Sequence, residues 1–344
     1  MDLIKLLKGI VPELPEILEK RYNILRSIYY NQPIGRRGLS QRLNIGERTI
    51  RTEVNILKEQ GLLNIESMGM YLTEEGTKLI EDLKYIMREL KGISNLEERL
   101  KQLLSLEKII IVPGNSDEDP FILKDMARAA SKYIKTVITD NSIIGITGGT
   151  TMAQLAEEMP EGKVAENVLV IPARGALGKE VETQSNSIAA KLAKKLQASY
   201  RLLHTPDNLD RTTLDAILNI EEVKEVIELI DNMDILIFGM GRADTMARRR
   251  QLSEEKVSQL LEKGAVGEAF GHYFDINGND IWESLTVGLS LEGYSKIDRV
   301  IGVAGGEDKA KAIIAIASLR KDITLVTDEG AAKKIIQLVN KATK

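Results

Sequence analysis

The chain has no cysteine among its 344 residues and only two histidines. The absence of cysteine excludes disulfide bonds, thiolate nucleophiles and cysteine-ligated zinc, and two histidines are too few for a histidine-rich metal site. We therefore expect no metal and no cofactor. The sequence also lacks any apolar run of about 18 uncharged residues, and its N-terminus mixes apolar with charged residues, so neither a membrane span nor a signal peptide is predicted. We expect a cytoplasmic protein.

Aromatic residues are scarce as well, at 4%, and neither sign of charge dominates. The 47 Lys and Arg residues stand against 51 Asp and Glu, which gives a formal net charge of -4. The chain is therefore no polycation, and any surface that binds nucleic acid has to be local. Hydrophobic residues make up 43% of the chain, and its length favours a division into about two or three domains.

The N-terminal part has the pattern of a helix-turn-helix. Apolar residues at helical spacing over 16–31 are followed by a short helix at 36–43, a turn at 44–46 that contains glycine, and a second helix over 47–60. The segment 61–72 alternates around a Met-Gly turn, which predicts a β-hairpin, or wing. Together these elements predict a winged helix.

The predicted second helix buries Ile50, Val54 and Leu57 and turns polar and basic side chains outward. Between residues 36 and 58, six basic residues outnumber two acidic ones in a chain whose total charge is negative. Side chains of these types contact the phosphates and base edges of DNA. We expect such contacts from Arg36, Arg37, Arg42, Arg48, Thr49, Arg51, Thr52 and Lys58. The alternative is a winged helix that serves only protein contacts.

A helical linker is predicted next. Thr73, followed by two glutamates, has the form of a helix start. Gly92 interrupts the helical pattern and Ser94–Glu97 has the form of a capping box, so we expect two helical segments. The alternative, equally open for the second segment, is a helix that packs on its own domain. The apolar residues that recur at heptad spacing, and so predict a dimerising linker, are Leu79, Leu83, Ile86, Leu90, Ile93, Leu100 and Leu104.

From residue 107 onwards short apolar strands alternate with amphipathic helices, which predicts an α/β fold with a Rossmann-like parallel sheet. In such sheets ligands bind beyond the carboxyl ends of the strands. A further strand pair over 264–278 is predicted to close on an Asn-Gly turn. The predicted strands are 108–112, 142–147, 167–171, 200–203, 234–238, 299–303 and 323–326. The predicted domains are 1–73, 74–106 and 107–344.

The segment 143–151 has the pattern of a strand, a glycine loop and a helix start. Two glycines leave the backbone open to a ligand, so N–H groups, hydroxyls and the helix N-terminus can meet an anion such as phosphate. The residues concerned are Gly148, Gly149, Thr150 and Thr151. The alternative is an ordinary turn between a strand and a helix.

Glycine-rich or basic loops follow three other predicted strands, and they carry Arg174, the run Arg248–Arg250, and Lys309. Together they have the composition that a site for several phosphate oxygens requires. The arginine run also fits a solvated helix face. Glu268 could accept hydrogen bonds from sugar hydroxyls, or it could be an exposed carboxylate without a partner.

Candidate acids and bases are few. Asp244 could serve as one in an enzyme that isomerises or deaminates sugar phosphates. His272 alternates with aromatic residues, and we interpret it as structural. Because no acid–base cluster stands out, we expect no catalytic residues.

The motifs taken together resemble the SorC family of sugar-responsive bacterial transcription regulators. The resemblance implies a repressor of glycolytic operons whose effector domain is similar to sugar-phosphate isomerases and deaminases. It implies further that fructose 1,6-bisphosphate binds there and removes cooperative binding to double-stranded operator DNA by a homodimer that forms a tetramer on DNA. The motifs are the winged helix at 36–72, Gly-Ile-Thr-Gly-Gly-Thr-Thr at 145–151, Pro-Ala-Arg-Gly at 172–175, Phe-Gly-Met-Gly at 238–241, Val-Gly-Glu-Ala-Phe at 266–270 and Gly-Val-Ala-Gly-Gly-Glu-Asp-Lys at 302–309.

The resemblance also implies roles for individual residues. The Gly149-Thr150-Thr151 segment should hold one phosphate. Which of the three consecutive arginines faces the ligand is open, and we include Arg250 beside Arg249. Two other hypotheses remain: an enzyme with a DNA-binding appendage, and a folded relic of a pocket that supports only oligomerisation. The residues that should serve the other phosphate and the sugar are Arg174, Gln184, Arg249, Glu268 and Lys309.

Overall fold

The computed structural model describes residues 9–175, 180–206 and 209–342. The chain divides into two compact units, residues 1–94 and 95–344. The first unit is helical with one small hairpin, and the second is an α/β unit. Within the described ranges, none of the helices has the length and apolar character needed to cross a membrane.

The first unit is a winged helix. Helix ends follow backbone signals in the sequence: the second helix stops at Leu43 because Asn44 adopts a left-handed conformation, with φ of 51°. Ile50, Val54 and Leu57 are at most 1% exposed, as their helical spacing predicts. The helix-turn-helix and the wing are thus confirmed. The elements are α1 (Leu14–Asn31), α2 (Arg36–Leu43), α3 (Glu47–Glu59), β1 (Leu63–Glu66), β2 (Gly69–Leu72) and α4 (Glu74–Leu90).

The predicted linker forms two helices, α4 and α5 (Ile93–Leu104). The start of α4 is as predicted, since the Thr73 hydroxyl accepts a hydrogen bond from the Gly76 N–H at 3.0 Å. Gly92, with φ of 62°, separates the two helices. The predicted capping box is wrong, because α5 begins before Ser94 and the Glu97 carboxylate accepts its hydrogen bond from a different residue.

That partner lies in the sheet of the second unit. Glu97 Oε1 accepts a hydrogen bond from the Ile111 N–H at 2.8 Å. Leu100, one turn further along α5, is fully buried. These contacts favour the alternative for the second linker segment, namely a helix that packs on its own domain.

The second unit contains a parallel sheet of seven strands in the order β3-β13-β12-β7-β4-β5-β6. All seven predicted strands are present, with ends shifted by at most a few residues because strand ends carry weak sequence signals. The elements are β3 (Lys108–Val112), α6 (Phe121–Val137), β4 (Ile143–Ile146), α7 (Thr150–Glu158), β5 (Leu169–Pro172), α8 (Ser185–Leu196), β6 (Ser199–Tyr200), α9 (Arg211–Ile217), α10 (Glu221–Asp231), β7 (Ile235–Gly239), β8 (Gly241–Arg242), α11 (Ala243–Arg249), α12 (Glu254–Glu262), β9 (Gly267–Ala269), β10 (His272–Phe274), β11 (Asp280–Glu283), α13 (Leu291–Lys296), β12 (Arg299–Val303), α14 (Ala310–Ala317), β13 (Thr324–Asp328) and α15 (Glu329–Ala342).

The strand order of the sheet reverses between β4 and β7. From β4 the chain adds β5 and β6 on one side, and from β7 it adds β12 and β13 on the other. At such a switch point the loops leave the two central strands in opposite directions, so a crevice opens beyond their carboxyl ends. The apolar core beneath it is built from β4, β7 and β12 together with α6, α7 and α8.

Strands β8 to β11 form a separate antiparallel sheet in the order β11-β10-β9-β8. The predicted turn of the strand pair is wrong. Strands β9 and β10 are joined at Phe270 and Gly271, both with positive φ, whereas the Asn277-Gly278 turn joins β10 to β11. A phenylalanine at positive φ gives no turn signal in the sequence, so the stronger Asn-Gly signal was assigned to the wrong pair of strands.

Candidate functional site

A cleft of about 250 Å³ lies beyond the carboxyl ends of the large sheet, at the switch point between β4 and β7. Its walls are the loops after β4, β5, β7 and β12, helix α11 and the β9–β10 hairpin. Gln184 is not among the lining residues; it is the residue before α8 and lies between the lining residues Thr183 and Ser185. The predicted effector residues that line the cleft are Gly148, Gly149, Thr150, Thr151, Arg174, Arg249, Arg250, Glu268 and Lys309.

The loop between β4 and α7 provides a helix N-terminus. Gly149 has a φ of 114°, which residues with side chains rarely adopt. Its N–H donates to the Thr183 carbonyl at 2.9 Å, so this amide is not available to a ligand as the sequence suggested. A Cβ on Gly148 would lie 2.9 Å from the same carbonyl oxygen, so this glycine makes room for the neighbouring segment. The first turn of α7 offers the amides of Thr150 and Thr151 to an anion.

The three consecutive arginines lie in three different surroundings. Arg248 is exposed and forms hydrogen bonds to Glu254 at 3.1 and 3.2 Å, outside the cleft. Arg249 lines the cleft and donates to the Thr183 hydroxyl at 2.8 Å. Arg250 is buried and donates to Glu268 Oε1 at 2.9 Å. Only Arg248 therefore behaves as a solvated helix face.

Glu268 is a buried acceptor and not the exposed carboxylate of the alternative interpretation. It is 4% exposed. Besides Arg250, its Oε1 accepts the Gly271 N–H at 2.8 Å, and Arg174 Nη1 lies 3.8 Å away. Tyr273 completes the group, since its hydroxyl accepts from Arg250 and burial raises its pKa to about 12 against the opposing effect of that arginine.

Lys309 follows β12 and lines the cleft. Burial lowers the pKa of its ammonium group, and Asp117 and Asp328 oppose this shift. The buried Asp328 fixes the surrounding loops, because its Oδ2 accepts the N–H groups of Gly306 at 2.8 Å and Ser116 at 2.9 Å. A partly desolvated lysine in this position favours an anionic ligand, which replaces the lost interaction with water.

Among the residues that the structure describes, five cationic side chains and one carboxylate line the cleft. The cations are Arg174, Arg242, Arg249, Arg250 and Lys309. The surplus of positive charge and the helix N-terminus make the cleft a site for an anion with several oxygens.

Several lining residues were not among the predicted effector-binding residues, although some of them lie in the motifs of the sequence. Arg242 is the charged one, and its only signal was its place directly after the Gly-x-Gly loop that follows β7. Thr147 ties two loops together, since its hydroxyl accepts the Gly239 N–H at 3.3 Å. The remaining lining residues that were not predicted are Gly175, Thr183, Ser185, Gly239, Met240, Gly241, Thr245, Met246 and Phe270.

The candidate acid–base residue Asp244 does not line the cleft. Its carboxylate binds Arg242 through both oxygens, at 3.1 and 2.7 Å. Hydrogen bonds from Arg242 lower the pKa of Asp244 in spite of partial burial. His272 is 8% exposed and pairs with Asp280 at 2.9 Å, in agreement with a structural role.

The first unit presents a basic face on its helix-turn-helix. Arg36 is half-buried and the other seven predicted contact residues are exposed. Their side chains share the outer surfaces of α2 and α3, where a recognition helix meets the major groove. Roles for individual residues in DNA binding stay predictions. The exposed residues are Arg37, Arg42, Arg48, Thr49, Arg51, Thr52 and Lys58.

Glu53, one of the two acidic residues in this segment, does not weaken the basic face. It is buried on the inner side of α3 and binds Lys20 at 3.0 Å and Arg21 at 2.9 Å, both from α1. Burial raises its pKa, but the hydrogen bonds from Arg21 and Lys20 outweigh this effect and hold the pKa below the ordinary value. The outer face is therefore more basic than the sequence count suggests.

A winged helix joined to an α/β unit with an anion-binding cleft defines a class of proteins: ligand-responsive DNA-binding regulators. Residues 17–87 match the CggR N-terminal DNA binding domain, and residues 88–337 match the sugar-binding domain family Sugar-bind. The chain is 41% identical over 340 residues to the Central glycolytic genes regulator of Priestia megaterium, covering 98% of this chain and 99% of that protein. It is also 41% identical over 336 residues to the Bacillus subtilis protein of the same name, with 98% and 99% covered.

Solved structures agree with this relationship. A SorC family transcriptional regulator of Enterococcus faecalis is 34% identical with a TM-score of 0.66, covering 70% of this chain and 99% of that one. The full-length sorbitol operon regulator of Klebsiella pneumoniae, at 21% identity, shares the fold over 98% of this chain and 100% of that one, with a TM-score of 0.64. The chain belongs to the central glycolytic genes regulator branch of the SorC family. It is a transcriptional regulator with a DNA-binding domain and a sugar-binding domain, and its relatives are regulators and not enzymes.

Proposed function

We propose that this chain represses glycolytic genes and that fructose 1,6-bisphosphate, bound in the cleft, weakens its binding to operator DNA. The observation that carries the proposal is that a helix N-terminus and, within the described part of the chain, five cationic side chains line one cleft at the switch point of the sheet. The name of the two relatives with 41% identity supports glycolytic genes as the target.

A bisphosphate suits the cleft because its two anionic ends need two separate sets of donors. The first turn of α7 offers the amides and hydroxyls of Thr150 and Thr151 to one phosphate. The second phosphate goes to the cationic wall that contains Arg174, Arg249 and Lys309. Glu268 accepts hydrogen bonds from the sugar hydroxyls.

The ligand has to favour one of two conformations in order to act on DNA binding. A tenfold change in operator affinity requires about 1.4 kcal/mol of coupling between the two sites. We propose that the repressor binds operators as a homodimer and assembles into a tetramer on DNA, so that the ligand acts on a cooperative complex. The operator then contains paired half-sites about one or more helical turns apart.

The substitution Thr151→Ala tests the cleft. We expect it to weaken binding of fructose 1,6-bisphosphate about tenfold, because a charge-assisted hydrogen bond to phosphate is lost. Operator affinity without the sugar should not change. Isothermal titration calorimetry measures the first quantity and fluorescence anisotropy of labelled DNA the second. Thr212→Ala, at the same position in the first turn of α9, is the matched control. Unchanged sugar affinity in Thr151→Ala would refute the assignment of the cleft.

The substitution Arg51→Ala tests the recognition helix. We expect discrimination between operator and random DNA to fall by about tenfold or more, since one base contact carries about 1–3 kcal/mol. Affinity for the sugar should be retained. Anisotropy titrations with both DNAs at several salt concentrations measure the effect, and Arg211→Ala in the second unit is the control. Equal discrimination in the variant and the wild type would contradict the placement of α3 on the bases.

A further inference from the structure

Arg242 occupies a distinctive position at the cleft. It follows β7, lines the cleft and keeps 39% of its side chain exposed. Its Nε and Nη2 bind the two oxygens of Asp244 at 3.1 and 2.7 Å. Its Nη1 binds Asp308 at 3.2 Å, and Asp308 belongs to the short 3-10 turn after β12. The guanidinium group therefore connects two loops of the cleft.

The two contacts of Arg242 differ in strength. The pair with Asp244 is bidentate and Asp244 is 24% exposed, so its geometry is fixed and its charges are partly desolvated. The pair with Asp308 has one contact, and Asp308 is 73% exposed, so water and salt screen it. The contact with Asp308 is the one that another anion can replace.

The position of Asp308 shows where an anion that replaces this contact would lie. Its N–H donates to Asp117 Oδ2 at 3.1 Å, which fixes the backbone of the loop, while its side chain extends to Arg242. The next residue, Lys309, lines the cleft. A phosphate group that enters between Arg242 and Lys309 meets two cations and one competing carboxylate.

We propose that Arg242 is a specificity-determining residue that exchanges the carboxylate of Asp308 for the second phosphate of the ligand while Asp244 keeps the guanidinium in place. The inference rests on the proposed function, since it needs a phosphorylated sugar in this cleft. A ligand with one phosphate leaves the Arg242–Asp308 pair intact, so Arg242 adds nothing to its affinity. A bisphosphate replaces a screened contact with a charge-assisted one, so the exchange favours bisphosphates over monophosphates.

The variants Arg242→Gln and Asp308→Asn test the proposal by calorimetric titration with fructose 1,6-bisphosphate and with fructose 6-phosphate. We expect Arg242→Gln to weaken the bisphosphate about tenfold, or about 1.4 kcal/mol, and the monophosphate by less than about threefold. We expect Asp308→Asn to strengthen the bisphosphate by about threefold or more, because the competing carboxylate is gone while the Asp244 contact remains. The control is Arg211→Gln, an exposed arginine of α9 that does not line the cleft and pairs with Asp215.

The outcomes separate the two proposals. If Arg242 only ties loops together, Arg242→Gln weakens both ligands equally and Asp308→Asn brings no gain, and the inference falls while the proposed function stands. If the ratio of bisphosphate to monophosphate affinity is unchanged in both variants, the inference also falls and the proposed function stands. If the wild-type protein binds neither sugar phosphate, the proposed function falls and the inference with it.

Discussion

The direction of a side chain decides whether a residue in this region lines the cleft. Arg248, Arg249 and Arg250 are neighbours in sequence, yet one pairs with Glu254 in solvent, one lines the cleft and one is buried against Glu268. Successive residues of a helix point about 100° apart, and Arg250 directly follows the end of α11. The sequence therefore located a basic segment but could not assign its members.

The buried pair of Glu268 and Arg250 allows a stability prediction. We expect Glu268→Gln to lower the free energy of unfolding by about 3–5 kcal/mol, because it leaves buried guanidinium charge without its carboxylate. Inorganic phosphate should restore part of the loss by placing an anion beside the arginines. Urea titrations with and without phosphate measure both effects. Glu283→Gln, whose side chain is 58% exposed, should cost less than about 0.5 kcal/mol. A loss below about 1 kcal/mol in Glu268→Gln would contradict the prediction.

Whole elements were easier to predict from the sequence than individual contacts. The seven strands of the large sheet and the helix-turn-helix follow from apolar periodicity, because each buries one face or both. The errors occurred where a side chain has a tertiary partner. Glu97 looked like a helix cap but binds the Ile111 N–H, and Phe270 occupies a turn position that its backbone preference disfavours. Such partners are distant in sequence and leave no local pattern.

The contact between α1 and α3 should depend on pH. The pKa of Glu53 lies below its ordinary value of 4.5 in the folded protein, so its ion pairs with Lys20 and Arg21 stabilise the fold above that pH. This contribution is lost as the pH falls through the folded-state pKa. We therefore expect Glu53→Gln to be less stable than the wild type at pH 7, and the difference to shrink as the pH falls below 4.5. Chemical denaturation at a series of pH values measures it.

A control variant makes this assignment specific. Glu59 is exposed on the same helix, so Glu59→Gln should not reproduce the effect at pH 7. A difference between Glu53→Gln and the wild type that stays constant down to pH 3 would mean that the ion pairs do not carry the stability.

At the scale of the whole molecule, α4 is the helix whose exposed apolar residues bear on self-association. Leu79, Leu83 and Leu90 of the predicted heptad seam are partly buried against the core of their own unit. Ile86 is 39% exposed and its neighbour Tyr85 is 70% exposed. An apolar surface of this kind on a helix supports pairing with a second copy, and that pairing stays a prediction.

The substitution Ile86→Glu tests the pairing. We expect it to weaken the homodimer by about tenfold or more, because a charge enters an apolar seam, and to remove cooperativity in operator binding. Analytical ultracentrifugation and DNA titrations measure the two quantities. Ile276→Glu is the matched control, since that isoleucine is also 39% exposed but lies in the second unit. Self-association that is equal in both variants would exclude α4 as the dimer seam.

The hydrogen bond from Ile111 to Glu97 has a practical consequence for work on the sugar-binding unit alone. Strand β3 is one of the two outermost strands of the large sheet, so one row of its backbone groups has no strand beside it. A fragment that starts at the first residue of β3 lacks Glu97, so the Ile111 N–H also becomes open to strands of other molecules, and pairing at an open edge is a common route to aggregation. A fragment that starts at or before Ile93 keeps the hydrogen bond between Glu97 and the Ile111 N–H, and it is the better choice for crystallisation or ligand screening.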